Sequence, residues 1–119
     1  MFLAGDVPHE VVFPRVAVIV HHGGAGTTAA AVRAGCPQVV CPFVGDQPFW
    51  GRRMHQLGVA PEPIDQRRLS APRLAAAIRE AIDDPAMIGA ARRLGDQVRA
   101  ENGVAAAVDV LEQVAAGRR

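Results

Sequence analysis

Val16-Ala17-Val18-Ile19-Val20 is an unbroken apolar, largely β-branched run, the pattern of a parallel strand covered on both faces and therefore central in its sheet. After His21-His22-Gly23-Gly24 the pattern changes. Ala25 to Ala34 is alanine-rich and free of proline, and it is closed by Gly35 and Pro37, which predicts a helix with a marked end. Gln38-Val39-Val40-Cys41 predicts the next strand and Pro42 to Asp46 a loop. Gln47 to Leu57 predicts a helix with Pro48 in its first turn and Gly58 at its end.

Val59 to Arg68 carries Pro61 and Pro63, so it predicts an extended connection with one short strand at its start. Ser70 offers an N-cap for a helix over Ala71 to Ile82, with Leu74, Ile78 and Ile82 spaced by four along one face. Asp84-Pro85 starts another helix, running to about Asn102. A last one, Val104 to Val114, sets Val104, Val108 and Leu111 on one side.

Strands alternating with helices predict an α/β fold, a Rossmann-like parallel sheet with flanking helices. Only two strand signals are strong, with weaker ones near Phe2 and Val59, so the sheet is small and leaves an edge for another segment to occupy. A chain of 119 residues predicts a single domain. Isolated, such a piece is expected to be poorly stable or self-associating.

Composition removes several functions. Thirteen basic against twelve acidic residues give a net charge of +1, which lacks the basic footprint of generic nucleic-acid binding. Every basic residue is arginine, so neither a Walker phosphate loop nor Schiff-base chemistry is available. The opening Met1-Phe2-Leu3-Ala4-Gly5-Asp6 has no basic n-region, and no apolar run spans a bilayer; a cytoplasmic protein without a transmembrane segment is expected. Cys36 and Cys41 lack metal or redox spacing and are expected as buried free thiols.

The candidate chemistry lies where the first strand runs into the first helix, the sheet edge at which open α/β folds bind ligands. Gly23, Gly24 and Gly26 let backbone approach a ligand, and the first-turn amides and helix dipole favour a phosphate or diphosphate. Thr27 and Thr28 add hydroxyls and His22 a ring N–H. The plainer alternative is a tight turn with threonine as an ordinary cap. Gly24-Ala25-Gly26-Thr27-Thr28-Ala29 also satisfies the dinucleotide pattern G-x-G-x-x-A, with Asp46 as a ribose acid. Against that, Asp46 stands beyond the second strand, beside Gln47. There the two offer acceptors and donors to vicinal sugar hydroxyls, unless one merely caps the following helix.

Three segments together carry a resemblance: His22-Gly23-Gly24-Ala25-Gly26-Thr27-Thr28, Arg33-Ala34-Gly35-Cys36-Pro37-Gln38 and Pro42-Phe43-Val44-Gly45-Asp46-Gln47-Pro48-Phe49-Trp50. They resemble the donor-binding motif of GT-B nucleotide-sugar glycosyltransferases, and most of all the bacterial macrolide and glycopeptide enzymes and the sterol glucosyltransferases. The resemblance runs from about Val7 to the C-terminus. It implies that His22, Gly24, Ala25, Gly26, Thr27 and Thr28 hold the diphosphate of a UDP- or dTDP-sugar such as UDP-glucose. Asp46 and Gln47 would hold the sugar, with no cofactor or metal.

The reaction it implies is an inverting transfer of a hexose to a sterol, macrolide or lipid. The resemblance implies that the catalytic base sits in an N-terminal acceptor domain, so no catalytic residue is assigned to this chain and a separate acceptor-domain subunit is an expected candidate partner. Ala30 stands where plant relatives place a ribose-binding glutamate, and Val11 where a tryptophan is common. Arg15, His9 and Trp50 are expected to be packing or inter-domain residues.

Overall fold

In a computed structural model, residues 12–101, 108 and 111–115 are described. Among them β1 (Ile19–His21), α1 (Ala25–Ala34), β2 (Gln38–Val40), α2 (Gln47–Gln56), α3 (Ala71–Asp83) and α4 (Pro85–Ala100) follow in order, with 3-10 turns at Phe13–Arg15 and Gln66–Arg68. β1 and β2 are parallel, with Ile19 opposite Gln38 and His21 opposite Val40. The α/β class and the crossover helix expected from the sequence are both present.

The centre of the sheet is β2 rather than β1. Gln38, Val39 and Val40 are all buried, Val39 against Ala77 and Ala81 of α3 and Val40 toward Gly51 of α2. On one side β2 pairs with β1. On the other, the Gln38 amide donates to the Val59 carbonyl, and the Ile64 and Gln66 amides donate to Val40 and Pro42. This flanking segment is not a regular strand, because Pro61 and Pro63 lack the N–H groups that a ladder requires. The predicted strand at Val59 is thus an extended neighbour only. The apolar run at Val16 is likewise trimmed to three strand residues, and Val20 is 44% exposed where a strand covered on both faces was expected. The predicted strand near Phe2 lies outside the described residues.

α1 has the bounds predicted for it. Gly35, at φ +70°, ends it with amide donations from Gly35 to Val32 and from Cys36 to Ala31, a left-handed stop that glycine adopts without strain. The Arg99 guanidinium of α4 donates to the Arg33 carbonyl in the same last turn. α4 lies close against this end. A Cβ on Gly95 would stand 2.6 Å from the Gly35 Cα, so only glycine permits the approach. Ala29 and Val32 of α1, Trp50 and Met54 of α2, and Ala91 and Val98 of α4 form the main core, joined by Leu111.

Ser70 and Asp84 cap α3 and α4 as expected, their side chains accepting first-turn amides. The apolar face of α3 is rotated from the expected one. Ala77 and Ala81 are buried against β2, Leu74 and Ile78 pack at the flank, and Ile82 is exposed. Small side chains let this helix approach the strand closely, and that places the larger ones at the margins. Of the last predicted helix, 111–115 is helical; Leu111 is buried but Val108 is exposed, and Val104 lies outside the described residues. Both cysteines are free and buried, and burial pushes the Cys36 thiol up to about 11. Among the described residues no helix is long and apolar enough to cross a membrane.

Candidate functional site

The turn between β1 and α1 is shaped by two glycines for different reasons. Gly23 has φ +97°, and a Cβ there would meet the Gln47 carbonyl oxygen at 2.8 Å and Val40 Cγ1 at 3.1 Å. A Cβ on Gly24 would stand 2.8 Å from His22 Cε1. Gly26 differs from both: it is helical, and a Cβ there meets nothing within 4 Å. Neither backbone conformation nor packing requires glycine at that position.

Gly24 is the N-cap of α1 and has no side chain to satisfy the first turn. The amides of Ala25, Gly26 and Thr27 therefore lack intrahelical partners at the positive end of the helix. Thr28 is already at the next level: its amide and its hydroxyl both donate to the Gly24 carbonyl, at 2.9 and 2.7 Å. Its side chain is fully buried. That hydroxyl ties the first turn of the helix together. Thr27 is half-buried and Ala25 and Gly26 are exposed, on the open side.

His22 is exposed, and its Nδ1 accepts the Gly24 amide at 3.1 Å. A ring nitrogen that accepts a hydrogen bond carries no proton, so neutral His22 has its proton on Nε2, free to act as a donor. His21 repeats the geometry one residue earlier. Its Nδ1 accepts the Gly23 amide at 3.0 Å, and its Nε2 donates to Gln38 Oε1 at 2.6 Å. Gln38 is fully buried and its Nε2 donates to Met54 Sδ at 3.5 Å. Through His21 and Gln38 the glycine turn is anchored in the core. Neither residue is among the site residues expected from the sequence. The signal available was a glutamine in a strand otherwise apolar and buried, a position where a polar side chain needs a partner.

The second loop packs against the first through Gly23. Gln47 folds back, its Oε1 accepting the Phe43 and Val44 amides at 2.9 and 3.1 Å. The carboxamide NH2 then remains as its outward-acting group. Asp46 is exposed and holds the N-cap position of α2, yet its side chain caps nothing. Its Oδ2 accepts the indole N–H of Trp50 at 3.1 Å. Trp50 is a core residue, as expected, with this one polar attachment. Cys41 to Gly45 separate Asp46 from the end of β2, so it does not end that strand as a dinucleotide ribose acid should. Among the described residues no three His, Cys, Asp or Glu side chains converge.

Comparison with known proteins gives matches over most of the chain. The erythromycin biosynthesis protein CIII-like C-terminal domain model matches residues 1–114. The O-mycaminosyltylonolide 6-deoxyallosyltransferase of Streptomyces fradiae is 50% identical over 105 residues, covering 88% of this chain and 25% of that protein. Sterol 3-beta-glucosyltransferase UGT80A2 of Arabidopsis thaliana is 47% identical over 108 residues, 91% of this chain and 17% of that protein. The crystal structure of glycosyltransferase VinC in complex with dTDP superposes with a TM-score of 0.74 at 28% identity, over 92% of this chain and 27% of VinC. The chain thus spans a quarter or less of the length of these curated relatives. It belongs to the erythromycin biosynthesis protein CIII-like C-terminal domain family of GT-B glycosyltransferases.

Proposed function

We propose that this chain binds the diphosphate and sugar of a nucleotide-sugar donor, a UDP- or dTDP-hexose, and serves an inverting glycosyl transfer to a sterol, macrolide or other hydrophobic acceptor. One observation carries the reading. The glycine turn and the Asp46-Gln47 loop are packed together through Gly23, which sets a helix tip suited to phosphate beside a pair suited to hydroxyls. The dTDP in VinC supports a nucleoside diphosphate as ligand.

In this reading the amides of Ala25, Gly26 and Thr27, the Thr27 hydroxyl, Gly24 and His22 Nε2–H surround the diphosphate. They stabilise the charge that develops on it as the bond to the anomeric carbon breaks. Asp46 accepts a sugar hydroxyl and Gln47 donates to one. The acceptor hydroxyl attacks from the opposite face and gives its proton to a base on an acceptor domain, carried on the same longer protein or on a separate subunit. No cofactor or metal is assigned to this chain. Two buried free thiols suit a reducing, cytoplasmic setting.

Calorimetric titration with UDP, dTDP, UDP-glucose and NADH tests the reading. A neutral hydrogen bond contributes about 0.5–1.5 kcal/mol and a charge-assisted one about 1.5–3, so His22→Ala should weaken UDP binding roughly ten- to a hundredfold. Unchanged affinity in that variant removes His22 from the site, and a preference for NADH overturns the nucleotide-sugar reading.

A further inference from the structure

We propose that Trp50 is the positioning residue for Asp46: its indole N–H holds Oδ2 and fixes the carboxylate in the orientation in which Oδ1 faces a sugar hydroxyl. The proposal rests on the sugar-binding reading of Asp46 given above. An aspartate at an N-cap ordinarily takes extended backbone angles and accepts an amide of the first turn. Asp46 has φ −86° and ψ 0° and accepts none. Its carboxylate instead reaches one turn along α2, where Oδ2 accepts from Trp50 Nε1 at 3.1 Å.

Trp50 is able to hold it because the indole is packed in the core. The residue is 8% exposed, it belongs to the main core, and its ring stands edge-on to Phe49 with centroids 4.8 Å apart. A tryptophan buried by its carbon frame still has one donor to satisfy, and here that donor is spent on an exposed carboxylate. A bare surface aspartate samples several rotamers, and binding a sugar would have to freeze them. The indole does so in advance, which lowers the ordering entropy lost on binding. With Oδ2 engaged and Gln47 Oε1 held by Phe43 and Val44, Asp46 Oδ1 and Gln47 Nε2 present one acceptor and one donor in fixed order. That order complements two neighbouring hydroxyls of a hexose.

Trp50→Phe keeps an aromatic ring in the core and deletes the donor together with part of the indole's volume, a packing loss that should weigh equally on both ligands. From the worth of one such hydrogen bond, it should weaken UDP-glucose binding roughly three- to tenfold while UDP stays within about twofold. The loss should vanish when the same change is made in an Asp46→Ala background. Equal loss for both ligands, or additive loss in the double variant, assigns Trp50 to the core alone and overturns the proposal.

The chain contains one tryptophan, so a 15N-labelled sample shows one indole N–H resonance, and this tests the wild-type site even where Trp50→Phe fails to fold. The resonance should move in Asp46→Ala and on addition of UDP-glucose, and much less with UDP; a resonance unmoved by Asp46→Ala refutes the contact. If Asp46→Ala leaves the UDP-glucose to UDP affinity ratio unchanged, the sugar reading of Asp46 falls and the proposal with it. An unchanged ratio in folded Trp50→Phe alone overturns only the proposal.

Discussion

Gly26→Ala separates ligand binding from stability by sign. Glycine in a helix is less favourable than alanine by roughly 0.5–1 kcal/mol, since its backbone loses more freedom on folding. At Gly26 the added methyl meets no protein atom within 4 Å, and the residue is helical. Nothing in the fold therefore opposes the gain, and the melting temperature should rise on the order of 2–5 °C. The same methyl projects from the first turn of α1, beside amides that have no partner in the protein, into the space a diphosphate would occupy. UDP affinity should fall at least about tenfold, as a close backbone approach is blocked. Differential scanning calorimetry and isothermal titration on the one variant read both effects. A variant that is more stable and binds UDP as tightly as wild type refutes the claim that ligand phosphate lies against these amides. A variant that is less stable refutes the claim that the position is open.

Gly95→Ala should act in the opposite way on stability alone. Its Cβ would collide with Gly35 backbone at 2.6 and 2.8 Å, so α4 must shift from α1, and a loss of about 1–3 kcal/mol in denaturant titration is expected. For Cys36 the folded pKa is raised from 9.0 to about 11 by burial, so the native state holds its proton more tightly than the unfolded one. Stability contributed by that difference is intact below about pH 9 and is lost as pH rises through about 11. The melting temperature should fall over that window less steeply in Cys36→Ala than in wild type, and equal slopes would exclude the thiol.

The elements whose ends were legible in the sequence are those whose ends are locally determined. α1 begins after two glycines and stops at Gly35, and α3 and α4 begin at Ser70 and Asp84, because caps and left-handed stops act within a few residues. Strand extent is not local. Val16 to Val18 are as apolar as Ile19, but a residue is a strand residue only where a neighbour supplies its hydrogen bonds, and β2 supplies them for three positions. The same limit governs the site. The order of glycines, hydroxyls, carboxylate and carboxamide placed two loops at one sheet edge, and they do meet there. That Thr28 turns inward was not legible: Thr27 and Thr28 are chemically alike, and only the helix phase sets the second hydroxyl on the Gly24 carbonyl.

The packing of the two loops also bears on how a nucleotide sugar would be held across its scissile bond. The diphosphate and the sugar lie on opposite sides of that bond, so catalysis needs the two grips fixed relative to one another. Here the fixing is done by backbone and buried polar groups rather than by ligand contacts. Gly23 lies on the Gln47 carbonyl, the Gly23 amide is held by His21, and His21 is held by a glutamine buried in the central strand. Asp46 in turn is fastened to a core indole on the helix that begins at Gln47. Every link between the grips runs through the buried strand β2 or the first turn of α2. On the proposed reading, a site assembled this way would be preorganised before a donor arrived, and affinity for the sugar would be carried by few hydrogen bonds, each with little left to order.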